Sequence, residues 1–307
     1  MIRFFLSCAF AFAAGASAAE APRVVTDIAP VQSLVARVME GFDTPAVLLP
    51  PSASPHDHAL RPSEARSLAG ADMVIWVGPE LTGWLGDPIT SLAPEAAQLV
   101  LSEAMGVSVL MLRQGGAFGE HDEDEHDDHD DHDEHEDEAP VDPHMWLDPQ
   151  NAMVWLGSIA EALGALDPEN AASYARNAAE GAAEISAKAS SIGALVGAVP
   201  RSYLAYHDAF GYAEGWLGLT GIGAIQSGHA VELGPARLAE LRGEIAEQGV
   251  SCVLTEPQYN SGLLDAVIAG RNRRLVMIDP LGGGFEAGPS LYLSILDQFA
   301  EIAKVCN

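Results

Sequence analysis

Short apolar runs rich in Val, Leu and Ile alternate along the chain with amphipathic stretches of ten or more residues. That rhythm is the signature of strand–helix–strand units and of a parallel sheet. In the first half it predicts strands at Val24–Ile28, Ala46–Leu49, Asp72–Val77 and Gln98–Leu101. The helices predicted there are Val31–Glu40, stopped by Gly41, then Pro62–Ala69 and Leu81–Leu92. In the second half the predicted strands are Ser202–Tyr206, Gly221–Ile225, Ser251–Thr255 and Leu275–Ile278. They interleave with helices at Ala209–Leu217, Pro235–Gln248, Ser261–Ala269 and Pro289–Val305, so each half supplies about four strands.

Between the halves, Ala152–Ala198 is Ala-rich, poor in β-branched residues and interrupted chiefly at Asp167-Pro168, where Asp can cap and Pro can open a helix. One helix to Ala165 and a very long one from Glu169 to about Val196 are expected, the second acting as a rigid strut. The expected fold is therefore α/β: two lobes, each with a four-stranded, mainly parallel sheet flanked by helices, joined by a long rigid helix. The boundaries are 19–150 for the N-terminal lobe, 151–199 for the helical linker and 200–307 for the C-terminal lobe. Residues 115–140 break the pattern. They show no apolar periodicity, are bracketed by Gly115-Gly116 and Ala139-Pro140, and should be disordered when empty, since nothing apolar offsets the ordering entropy.

Charge sharpens the oddity of that segment. The chain carries 15 Lys+Arg against 44 Asp+Glu, a formal net charge of −29, and Glu120–Glu138 alone holds fourteen acids and five His with no base. A body this acidic could not replace the counterions of a phosphate backbone, so nucleic acid is excluded as a partner. At the N-terminus, Arg3, the apolar run Phe4–Ala14 and the small residues Ala16-Ser17-Ala18 read as a secretory signal peptide, residues 1–18. The apolar run is far short of the ~20 residues that span a bilayer. Cys8 leaves with it, so Cys252 and Cys306 remain, in an oxidising compartment. There they most simply pair with each other; the alternative is two buried thiols.

Five His lie outside the acidic segment: His56, His58, His144, His207 and His229. In a parallel sheet ligands collect beyond the carboxyl ends of the strands. His56 follows the second predicted strand, His207 directly follows Ser202–Tyr206, Asp279 follows Leu275–Ile278, and His144 sits in D-P-H-M-W-L-D-P before the strut. Three imidazoles and a carboxylate are a shell that Zn2+ accepts. The four are too far apart in sequence for a finger-type motif, so tertiary structure would have to assemble them, two from each half. Spacing alone is a weak signal, since a His near a strand end is more often a structural or surface residue.

The stretches LPPSASPHDHALRPSEARSLAGADMVIWVGPELTGWL, HMWLDPQNA, YHDAFGYA, TEPQYN and MIDPLGGG resemble the metal-binding solute-binding proteins of ABC importers, most closely the periplasmic zinc-binding component of high-affinity zinc uptake, the ZnuA type. The resemblance covers nearly the whole mature chain. It implies two α/β lobes, one Zn2+ bound in the cleft between them, and delivery to an ABC permease of the inner membrane. Carried over residue by residue, the ligands fall on His56, His144 and His207, and since manganese-selective relatives place an acid at the third position, His207 points to zinc. For the fourth place, zinc members use an acid before the first His, water, or the aspartate of the last strand-end motif. Pro55 stands before His56, and Asp279 is taken in preference to water. The Cys252–Cys306 pair also matches a disulfide of zinc-type members.

His121, His126, His129, His132 and His135 resemble the family's metal-chaperoning insert, able to form auxiliary exchangeable zinc sites and to receive metal from a periplasmic metallochaperone; a solvated charge run is the plainer reading. His58 is expected as a cleft neighbour, His229 on a loop, and Asp57 and Asp208 as carboxylates that could orient imidazoles. The expected protein is a periplasmic monomer and not an enzyme. The alternatives are a secreted zinc-dependent hydrolase, against which no H-E-x-x-H occurs, and a metal-buffering adhesin.

Overall fold

The structure, a computed structural model, describes residues 21–51, 53–113, 118, 140–198, 201–226, 250–257 and 274–306, with positions 239, 241–243, 245, 247, 262, 264 and 267. Residues 1–18, expected as a signal peptide, His229 and the five His of the acidic segment lie outside the described residues, as does most of Pro235–Gln248 and Ser261–Ala269. The positions described within those two stretches are helical, and Leu241, Ile245, Leu264 and Val267 are buried against Leu204, Tyr206 and Ile225.

Two four-stranded sheets form, and every strand pairing in them is parallel. The first comprises β1 (Val24–Thr26), β2 (Ala46–Val47), β3 (Met73–Trp76) and β4 (Ala97–Val100) in the order β2-β1-β3-β4. The second comprises β5 (Arg201–His207), β6 (Leu219–Gln226), β7 (Cys252–Thr255) and β8 (Leu275–Met277) in the order β6-β5-β7-β8. The central strands β1 and β3 are buried along their whole length, which is why they read as unbroken apolar runs rather than alternating ones. At the end of β1, buried Asp27 accepts the Ile28 and Val77 N–H groups and the Thr82 hydroxyl, tying β1 to β3; burial pushes its carboxyl up to about 6.

Helices α1 (Ala29–Val38) and α2 (Pro62–Ala69) lie where the pattern places them, each with Pro in its first turn. The helix expected at Leu81–Leu92 is instead α3 (Pro79–Thr82), a 3-10 turn (Gly83–Leu85) and α4 (Gly86–Leu92). Gly83 and Gly86 weaken the helix there. Gly78, before α3, has φ 148°, which suits glycine. After α7 (Gly211–Leu217) and β8, the helix expected at Pro289–Val305 divides into α8 (Leu291–Gln298) and α9 (Ala300–Val305). The fully buried ring of Phe299 marks the break, edge-on to Phe210 and Trp216.

The strut begins two residues later than expected. α5 (Pro149–Leu166) is capped by the Asp148 carboxylate, which accepts the Gln150 N–H, and α6 runs from Ala171 to Val196. Asp167 serves the turn between them by accepting from Asn170 and the Tyr174 hydroxyl. At 26 residues α6 is about 39 Å long. It packs on α1 from the first half, on the preceding helix α5, and on α7, α8 and α9 from the second half. One apolar cluster runs from Val24 and Ile75 through Trp155, Ile159, Tyr174 and Ile185 to Phe210, Leu254 and Phe299. The lobes therefore share a core, and moving them apart would expose apolar surface at about 25 cal/mol per Å2.

Close approach along the strut depends on small residues. A Cβ built on Gly193 would stand 2.7 Å from the Trp216 carbonyl oxygen, backbone that cannot swing away. Gly193→Ala is expected to cost about 1–3 kcal/mol by overpacking. Urea unfolding checks it, and a variant as stable as the parent would contradict this packing account.

Cys252 and Cys306 form the expected disulfide, Cα–Cα 5.2 Å, fastening the C-terminus to the start of β7. Among the described residues no helix is long and apolar enough to cross a membrane.

Candidate metal centre

His207 is the last residue of β5, a strand six of whose seven residues are buried. Beyond it, the Asp208 N–H donates to the Gln226 carbonyl and the Ala209 N–H to the His207 carbonyl, so the turn that follows is pinned. His144 stands before the short 3-10 turn Met145–Leu147, in the segment that leads into α5. His56 lies in the Pro-rich loop between β2 and α2, where Pro prevents further strand pairing. Trp84 fixes that loop by donating its indole N–H to the Pro55 carbonyl at 2.8 Å.

The three imidazoles meet. Ring centroids are 4.8 Å apart for His144 and His207, 5.4 Å for His56 and His144, and 5.5 Å for His56 and His207. One nitrogen from each lies within 4.8 Å of the others. A tetrahedral Zn–N shell of about 2.0–2.1 Å needs N–N separations of about 3.4 Å, so a small contraction of the three would close it. His144 and His207 are buried and His56 is half-buried.

Carboxylates stand behind the imidazoles. Asp142 accepts both the His144 N–H at 3.0 Å and its Nδ1–H at 2.8 Å. That partnership assigns the hydrogen to Nδ1 and turns Nε2 toward the pocket, the usual device for orienting a metal-binding His. Buried Glu256, just past β7, places an oxygen 3.3 Å from Nδ1 of His207. Strand pairing explains the approach: Ala205 of β5 is opposite Leu254 of β7, so the chain beyond both strands emerges side by side. Asp208 is also buried. Burial pushes its carboxyl up, and the adjacent Arg113 guanidinium opposes that.

Asp279 does not join the three imidazoles. Its oxygens accept the N–H groups of Leu281, Gly282 and Gly284, so the carboxylate builds the turn that carries Gly282-Gly283-Gly284. There Gly283 is pressed against the first lobe, since a Cβ on it would lie 2.4 Å from the Pro51 carbonyl oxygen. His58 faces away to Glu64, 2.9 Å, and to the Trp84 ring, a neighbour as expected. Asp57 is exposed, and Asp208 turns to Arg113. Sequence reading gave no role to Asp142, Glu256 or Arg113. The D-x-H spacing of Asp142 and His144 was a usable signal; the other two depend on which strand ends lie together.

Hydrogen bonds strap the halves together around this point. The Trp146 indole donates to the Pro280 carbonyl at 2.8 Å, Tyr292 OH to the Trp146 carbonyl at 2.7 Å, and the Trp216 indole to the Leu147 carbonyl at 3.0 Å. Ser33 Oγ donates to the Gly288 carbonyl and accepts the Tyr292 N–H.

Residues 24–305 match the family described as the periplasmic zinc-uptake complex component A, ZnuA. The chain is 41% identical to the high-affinity zinc uptake system protein ZnuA of Paracoccus denitrificans over 318 aligned residues, 98% of this chain and 96% of that protein. It is 34% identical to the protein of that name from Brucella abortus, over 98% of this chain and 97% of the relative. Among solved structures, one described as ZnuA superposes with a TM-score of 0.77 at 20% identity, covering 94% of this chain and 100% of that one. The solute-binding protein FpvC of Pseudomonas aeruginosa, solved with Mn2+, gives 0.78 at 19% identity, over 93% and 98% of the two chains. At such identities these two show the fold alone.

Proposed function

We propose that this chain, which belongs to the zinc-uptake complex component A (ZnuA) family of periplasmic solute-binding proteins, captures Zn2+ between its two lobes and hands it to the inner-membrane permease of an ABC importer. It is a binding protein and not an enzyme. The observation that carries the site assignment is the convergence of His56, His144 and His207 from three distant segments, with Asp142 turning one of them inward. Three nitrogens suit zinc better than an oxygen-preferring ion such as Mn2+ or Mg2+. The fourth position is proposed for water, because the three imidazoles group without Asp279, whose carboxylate is engaged by the N–H groups of its own turn. Nothing favours the hydrolase reading.

Met1–Ala18 is proposed as the export signal, and the protein as a monomer in the periplasm. His121, His126, His129, His132 and His135 are proposed as auxiliary sites, open to metal from a periplasmic metallochaperone.

Zinc titration against a competing chelator tests the reading. One zinc per chain is expected at nanomolar affinity or tighter, about 12 kcal/mol. The ligands must be neutral to bind, so affinity is expected to fall steeply once the pH drops below the ordinary imidazole range of about 6.5. Micromolar affinity, or affinity indifferent to pH between about 5 and 7, would contradict it.

A further inference from the structure

Arg113 reaches from the first half of the chain into the second. Its Nε donates to Asp208 Oδ2 at 3.2 Å, its Nη2 pairs with Asp208 Oδ1 and its Nη1 with Glu214 Oε1 of α7. The fork on Asp208 is two-pronged, the geometry that guanidinium provides and ammonium does not. Both partners are fixed from behind. Asp208 directly follows His207 and is 2% exposed, and Glu214 also accepts the Tyr203 hydroxyl at 2.8 Å and the Gly221 N–H at 3.0 Å. Arg113 is held on its own side too: the Leu112 N–H donates to the Pro140 carbonyl at 2.7 Å, and Phe118 lies 4.1 Å from the guanidinium carbon.

We propose that Arg113 is a positioning residue for metal retention: by clasping Asp208 and Glu214 across the two halves, it fixes the turn that presents His207 to His56 and His144. The inference rests on those three imidazoles being the zinc ligands. Outer groups that orient metal ligands typically contribute 10–100-fold in affinity. The loss is expected in retention, since the clasp constrains a pocket already assembled.

The test is release of Zn2+ from the full chain into excess chelator, followed by stopped flow, with the visible absorption of the Co2+-loaded protein as a report on ligand geometry. Arg113→Gln is expected to release zinc about tenfold faster and to shift the cobalt bands. Arg113→Lys keeps the charge but not the fork, so it should fall between parent and Gln variant. It also carries the test if the Gln variant fails to fold. Parent-like release and cobalt spectrum in whichever variant folds would overturn the proposal, as would a lowered melting temperature with release unchanged. His144→Ala, measured alongside, separates the two readings. If it still holds zinc, the ligand assignment falls and this inference with it. If it loses zinc while the Arg113 variants behave as the parent, only the clasp is wrong.

Discussion

His144→Ala is expected to lower zinc affinity by about a thousandfold or more, roughly 4 kcal/mol. The substitution removes one of three nitrogen donors and leaves Asp142 buried without the imidazole whose Nδ1–H it accepts. Buried carboxylates that lose a partner are costly, so the pocket around the missing ligand should also loosen. His56→Ala serves as the comparison. It removes a donor too, but from a half-buried loop, so its effect on the stability of the metal-free protein should be smaller. Competition titration of both variants gives the affinities, and urea unfolding without metal gives the stabilities. Parent-like affinity in the His144 variant would remove it from the site.

Replacing Cys252 and Cys306 together by Ser is expected to destabilise the fold by about 4 kcal/mol in the chain-entropy model, given a sequence separation of 54. The location makes the bond more than a tether. Cys252 opens β7 opposite Tyr203 of β5, the strand that ends in His207, and Arg201 at the start of β5 donates to the Cys306 carbonyl at 3.2 Å. The C-terminal residue of the bridge therefore braces the near end of the strand whose far end carries a ligand. Equilibrium unfolding in urea, with and without reductant, measures the loss. A change below about 1 kcal/mol would show that the closed loop constrains the unfolded chain far less than the model assumes.

What the sequence disclosed follows from which forces are local. The unbroken apolar runs of β1 and β3 and the Ala-rich stretch of α6 declare themselves, because burial on both faces and helix propensity are written into consecutive residues. The break at Phe299 does not, since there an aromatic ring enters the shared core; at Gly83–Leu85 the glycines are visible, but the reach of the Trp84 indole to the His56 loop is not. The same division holds in the site. His56, His144 and His207 could be read as candidates from strand ends and from resemblance, since each sits in a distinctive local string. At Asp279 the string D-P-L-G-G-G reads equally as a ligand or as a turn built on its own carboxylate. The three N–H groups that engage its oxygens belong to the folded backbone and leave no mark in the string. Glu256 and Arg113 were invisible for a related reason, as each acquires its partner through strand order or through the meeting of the two halves.

Everything in this account turns on one ion shared by three imidazoles. Diffraction from crystals of the zinc-loaded full chain, collected on both sides of the zinc absorption edge, tests it most directly. One strong anomalous peak is expected within about 2.0–2.1 Å of a nitrogen from each of His56, His144 and His207. A peak located elsewhere, or one that leaves any of these three side chains outside the ion's shell, would contradict it.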